Sequence, residues 1–159
     1  MAGEIFLAED LHPPADTECG SKDIATKKIG ERLMTDKELQ EAASGFLDMA
    51  FNLGEPAAAV SEHVGGMFVQ HNPQVADGAE AFIGFVNSMR SQFPEMHLEI
   101  KRVITRGKMV VAHSHLTLIP GKPGLALADF FRFEEDKVVE HWDVIQEIPD
   151  ASANSNGMF

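Results

Sequence analysis

His113-Ser114-His115, Ala128-Asp129-Phe130-Phe131-Arg132-Phe133 and Val139-Glu140-His141-Trp142-Asp143 are the segments whose reading decides the fold. Each sets titratable or polar side chains at alternating positions among bulky apolar ones. A strand changes the facing of its side chains at every residue. The pattern therefore predicts three strands, with His113 and His115 pointing one way and His141 and Asp143 sharing a facing of their own. Ordinary strands put such groups in water. Here Phe131, Phe133, Val139 and Ile145 are interleaved with them, which predicts an acid–base cluster inside an apolar cavity.

Around these segments the hydrophobic period is 2, and strands are expected near 96–106, 109–119, 125–133 and 137–147. The turns between them are Arg106-Gly107-Lys108, residues 120–124 (Pro-Gly-Lys-Pro-Gly) and Glu134-Glu135-Asp136. Short turns between consecutive strands make an antiparallel meander. Upstream the period is 3.6. Thr35-Asp36-Lys37-Glu38 has capping-box spacing, and Leu39, Ala43, Phe46, Leu47, Ala50 and Leu53 follow on one helical face as far as Gly54. Pro56 opens a second, shorter helix to about Val64, which Gly65-Gly66 stops. Residues 67–71 are expected as a short strand, turned by Asn72-Pro73. Asp77-Gly78-Ala79-Glu80 repeats the capping spacing before a third helix with Phe82, Phe85, Val86, Met89 and Phe93 on its apolar face. The sum is an α+β layout, three helices on one face of a curved antiparallel sheet. Residues 1–34 read as an N-terminal extension with Ile5-Phe6-Leu7 as its candidate anchor, 35–148 as the domain and 149–159 as a C-terminal tail. Phe130, Val138, Trp142 and Val144 are expected on the far side of the sheet. A sheet apolar on both sides is covered on both, so a second copy of the chain is the expected cover.

The chain has 159 residues and a formal charge of −12. The length suits one domain, and the acidity excludes a phosphate-binding surface for nucleic acid and disfavours an anionic membrane. No apolar run is long enough to span a bilayer, and the start of the sequence lacks the pattern of a signal peptide. A single cysteine, Cys19, fits a reducing compartment. These points make a cytoplasmic protein the expectation.

Tight turns place Asp129 opposite His141, and His115 opposite Asp129. Each register is defined to within one residue, and one residue flips the facing. With these pairings His113, His115, Asp129, His141 and Asp143 form one wall of the cavity, beside Phe131, and His71 and Asn72 stand at its mouth. A carboxylate among phenylalanines is poorly solvated, so its pKa rises towards the range where it accepts and returns a proton. A neighbouring imidazole can donate to a carbonyl oxygen that gains negative charge. Together they suit proton abstraction next to a carbonyl. Any one such residue is most simply a satisfied half-buried polar group; a face-matched set of five favours function. His-x-His with a nearby carboxylate can also chelate a metal, but without Cys ligands or a helical His-Glu-x-x-His no metal site is assigned.

Residues 69–73 (Val-Gln-His-Asn-Pro), His113-Ser114-His115, and the segment 128–133 leading into 137–144 resemble the SnoaL-like polyketide cyclases, of the nuclear-transport-factor-2-like superfamily. The resemblance covers about 35–148 and implies a cone-shaped sheet, a homodimer through that sheet and no cofactor. In those cyclases an aspartate on the penultimate strand is the acid/base of an intramolecular aldol closure, with a histidine on the strand before it. Asp129 and His115 match them by motif, with His113 in the neighbouring pocket position. Ketosteroid isomerase, of the same superfamily, shares the Asp-x-Phe-Arg-Phe pattern. Its catalytic tyrosine, however, has no counterpart in a chain without Tyr, where Phe46 and Leu47 are offered instead, and its base falls near Asn72. The expectation is thus acid–base catalysis on a hydrophobic, carbonyl-bearing small molecule. Asp129 and His115 would be catalytic, and His71, Asn72, His113, Phe131, His141 and Asp143 would support them. A binding protein without turnover and a His–Asp dehydratase are the alternatives.

Overall fold

The structure, a computed structural model, describes residues 33–159. All but the last two residues of the proposed extension, Cys19 and the Ile5-Phe6-Leu7 anchor included, lie outside the described residues.

Helix α1, Asp36–Leu47, starts at the predicted capping box: the Glu38 amide donates to Thr35 Oγ1 (3.3 Å) and the Thr35 amide to Glu38 Oε2 (2.8 Å). Residues 37–43 are all good helix formers and no β-branched residue interrupts the helix, and Leu39, Ala43, Phe46 and Leu47 are buried. The chain then widens into a π-helical turn, Asp48–Leu53, closed by Gly54 at φ 73°, a conformation that favours glycine. Such turns shift the facing of the residues after them, and this one carries Ala50 and Phe51 into the core. Asn52 ties it to the sheet by donating to the Leu98 carbonyl (3.0 Å) and accepting from the Leu98 amide (2.8 Å). Helix α2 spans Pro56–His63 and α3 spans Ala79–Gln92. Asp77 does not cap α3: Gly78 holds the N-cap position, while Asp77 Oδ1 accepts from the Gln70 amide at 2.9 Å.

The strands are β1 Val64–Gln70, β2 His97–Arg106, β3 Met109–Thr117, β4 Leu125–Glu134 and β5 Lys137–Glu147, in the sheet order β1-β5-β4-β3-β2. The last four form the antiparallel meander, and β1 joins its edge parallel to β5. Gly65 and Gly66 fall inside β1 instead of ending the helix before it. A Cβ on Gly65 would lie 3.1 Å from Val139 Cγ1, so the glycine lets β1 approach β5. Opposite, a bulge on β5 leaves Phe133 paired with Val138 and Arg132 with Glu140. The extra residue, Val139, reverses the facing beyond it, and Val138, expected outside, is fully buried in the core. Phe46, Leu47, Val86, Leu116, Phe131 and Phe133 are buried between helices and sheet, each contributing about 1.5–3 kcal/mol relative to exposure.

Candidate active site

The concave face of the sheet and the helices enclose a cavity of about 430 Å³. Phe46 of α1, Phe51 of the π turn, Phe82, Phe85 and Met89 of α3, and Leu116, Leu127 and Phe131 of the sheet make its apolar part. Gln70, Asn72, Gln74, Asp129, His141 and Asp143 gather at one side, and Glu147 lies on the wall too. Among the described residues no Lys or Arg lines it.

Asp129 and Asp143 pair across β4 and β5, and His141 pairs with Phe131 one step further along. Asp129 and His141 are 4% and 5% exposed. His141 Nε2 lies 3.2 Å from Asp129 Oδ1, and its Nδ1 lies 3.1 Å from Gln70 Oε1. The imidazole is stacked between Phe131 (5.0 Å between ring centres) and Phe68 (6.4 Å). Asn72 Nδ2 donates to Asp143 Oδ2 at 2.6 Å. Asp129 Oδ2 is buried without a hydrogen-bond partner. Burial pushes the Asp129 carboxyl above its ordinary pKa, an effect the hydrogen bond from His141 opposes and the nearby Asp143 reinforces.

Three sequence expectations are corrected here. His115 pairs with Ala126 and His113 with Ala128, while Asp129 faces Ala112. The β3–β4 register is thus three residues from the expected one, an odd shift that sends both histidines to the opposite face of the sheet. There His115 Nε2 contacts the Pro123 carbonyl (2.7 Å), and both rings pack on Phe159. The Asp129–His141 pairing is displaced by two residues, which keeps the facing, so those side chains still meet. His71 is also outward: its ring stacks on Trp142 (4.7 Å, 5° between planes) and Nε2 lies 2.8 Å from Glu140. Arg132 and His71 hold the Glu140 carboxyl below the usual range. Asn72, Phe131, His141 and Asp143 do line the cavity with Asp129.

Asp129, His141 and Asp143 also offer three donor atoms within 4.8 Å of one another, a spacing compatible with a divalent ion. Asp129 and His141 are already joined to each other, and His141 to Gln70, by hydrogen bonds, while Asp143 is bonded to Asn72.

The SnoaL-like polyketide cyclase family matches residues 41–151, most of the described chain. The protein belongs to that family. Among solved structures, TsrD from Streptomyces laurentii is 21% identical with a TM-score of 0.60, over 70% of this chain and 90% of its own. A candidate polyketide cyclase from Bacillus cereus gives 21% and 0.60 over 68% and 74%. AclR from Streptomyces galilaeus, named as a candidate hydroxylase, gives 20% and 0.60 over 70% and 91%. No curated protein matches the chain. Likeness at this level establishes the nuclear-transport-factor-2-like fold, and the differing names of these structures leave the reaction to be argued from the site.

Gln70, Gln74, Glu147 and Phe51 are among the cavity residues that sequence reasoning missed. For Gln70 a signal existed: alternation along β1 groups it with the buried Phe68 and with Asn72, and turns His71 outward. Phe51 had none, because its facing depends on the π turn.

Proposed function

We propose that this SnoaL-like protein is an acid–base enzyme acting on a hydrophobic, carbonyl-bearing small molecule, by chemistry of the aldol condensation or cyclisation type. It would need no cofactor, as the resemblance to the polyketide cyclases implies. The observation that carries the proposal is the Asp129–His141 pair, buried at the polar side of a phenylalanine-lined cavity. A carboxyl with its pKa raised by burial is suited to exchange protons near neutral pH, and the apolar wall suits a flat, carbon-rich substrate. Among the described residues the lining holds no Lys or Arg and includes Asp129, Asp143 and Glu147, which supports an uncharged substrate over an anionic one.

In this reading Asp129 takes a proton from the carbon beside a carbonyl. The electron pair left on that carbon forms the new C–C bond to a second carbonyl carbon of the same molecule. The alkoxide so formed takes a proton back from the Asp129–His141 pair, which restores the site. His141 assumes the partner role first assigned to His115, and Phe68 and Phe131 hold its ring in place.

The far side of the sheet supports a homodimer as part of the proposal. Ile104 and Val144 are 61% and 64% exposed there, and Phe130 and Trp142 share that face. The single cysteine supports a cytoplasmic setting; among the described residues no helix is long and apolar enough to cross a membrane.

The test is exchange of α-protons for deuterium in aromatic and polycyclic ketones, with wild type and Asp129→Asn. Exchange in wild type that Asn abolishes is the expected result. Tight binding of these ketones without exchange would leave a binding protein, and exchange that depends on a stoichiometric metal in the purified protein would overturn the reading.

A further inference from the structure

The hydrogen-bond network fixes where its protons are. The Asn72 backbone amide lies 2.9 Å from Gln70 Oε1. An amide N–H can only donate, so this atom of Gln70 is the acceptor oxygen, and the orientation of the side-chain amide is settled. His141 Nδ1 approaches the same oxygen at 3.1 Å and must therefore carry a hydrogen. A neutral imidazole protonated at Nδ1 presents a lone pair at Nε2. That lone pair faces Asp129 Oδ1 at 3.2 Å, and an ionised carboxylate would oppose it with another. One further proton has to lie between Nε2 and Oδ1.

We propose that Gln70 is a positioning residue which locks His141 as the Nδ1–H tautomer and so obliges the Asp129–His141 pair to store one proton between Oδ1 and Nε2. The pair is then neutral as a whole, whether written as carboxylic acid with imidazole or as carboxylate with imidazolium. Neutrality is what burial favours, and the raised pKa of Asp129 agrees with it. Asp143 is a separate acceptor, engaged by Asn72. The Gln74 amide donates to Asn72 Oδ1 at 2.8 Å, which turns Asn72 Nδ2 towards Asp143. Among the described residues, the charged or titratable groups on the cavity wall are Asp129, His141, Asp143 and Glu147.

This deepens the acid–base reading, on which its catalytic meaning rests. The unpartnered Asp129 Oδ2 is the atom left for the substrate proton. As Oδ2 accepts that proton, the stored one passes from Oδ1 to Nε2, leaving a cationic pair beside the enolate. Proton return to the alkoxide reverses the transfer. Gln70 Oε1 stabilises the imidazolium of that intermediate through its Nδ1–H.

The experiment is ¹⁵N NMR of the His141 ring in the full-length protein, with Gln70→Leu and Gln70→Glu beside wild type. At neutral pH wild type is expected to carry its hydrogen at Nδ1. In Gln70→Leu the acceptor is gone, so Nε2 becomes the protonated nitrogen and donates to an Asp129 carboxylate; the two nitrogens exchange their protonated and unprotonated shifts. In Gln70→Glu a carboxylate accepts from Nδ1, so that nitrogen stays the protonated one, as in wild type. A wild-type ring protonated at Nε2 alone would overturn the proposal, a result independent of how the variants fold. An unchanged tautomer in Gln70→Leu would remove Gln70 from the role. Because the readout needs no turnover, absence of α-proton exchange would sink the enzyme reading while leaving this result standing.

Discussion

Asp129→Asn separates the chemistry of the pair from its packing. The amide keeps the carboxyl's shape, and with Nδ2 in the place of Oδ1 it donates across the same 3.2 Å to His141 Nε2. The variant satisfies the imidazole without a stored proton and has nothing at position 129 to titrate. In wild type, burial raises the folded-state pKa above the ordinary 3.8. The sign follows by linkage: the contribution of this group to stability is fully present below the unfolded pKa and is lost as pH rises through the folded one. Each unit by which the folded value exceeds the unfolded one costs wild type about 1.4 kcal/mol at high pH, and the variant escapes that cost. Urea unfolding of both proteins from pH 4 to 9 reads it directly. The variant's stability relative to wild type is expected to rise with pH and then level off above the folded pKa. Turnover or exchange should fall by about 10²–10⁴ at every pH, the contribution of a positioned acid–base group. Stability curves that stay parallel, or an advantage that shrinks as pH rises, would refute the buried-carboxyl argument.

Phe131→Ala removes a fully buried ring that packs on both His141 and Phe46; a loss of about 3–5 kcal/mol is expected, and a loss below about 1 kcal/mol in chemical denaturation would contradict its place in the core. His115→Ala acts on the outer face, so exchange activity should stay within about twofold, since the ring makes no contact in the cavity; a drop like that of Asp129→Asn, in the same assay, would return His115 to the site. Thr35→Ala deletes one half of the capping box and should cost about 1 kcal/mol, read as a lowered urea midpoint with activity per folded molecule unchanged.

The helices and strands were legible because local signals agreed with the tertiary result. Thr35 and Glu38 cap as their spacing implies, and the change of period after Phe93 marks the passage from helices to meander. What failed was long-range facing. On β3 both faces carry apolar residues: Val110, Ala112 and Leu116 point inward, and Met109 and Val111 outward. Alternation alone cannot say which set is the core. The decision falls to the 118–124 loop, where Gly124 has φ 80° and a Cβ would lie 2.4 Å from the Leu116 carbonyl. This close approach pairs Leu116 with Leu125, and one glycine thus helps place His113 and His115 on the outside.

The same reasoning explains why the candidate site survived two errors of register. Between β4 and β5 the shift was even, so Asp129, Phe131, His141 and Asp143 kept a common face, although Asp129 now sits opposite Asp143. Between β3 and β4 it was odd, and the motif-based partner His115 was lost. A family motif transfers a residue's strand position, but facing depends on turn geometry that the motif does not contain. His141 faces inward with Asp129 because the β5 bulge at Val139 readjusts the alternation just before it. Without that extra residue, Val138 and His141 could not both face inward, as an odd spacing along one strand forbids it. The bulge therefore serves both ends of the strand at once: it keeps Val138 in the core under the helices and aims His141 at Asp129.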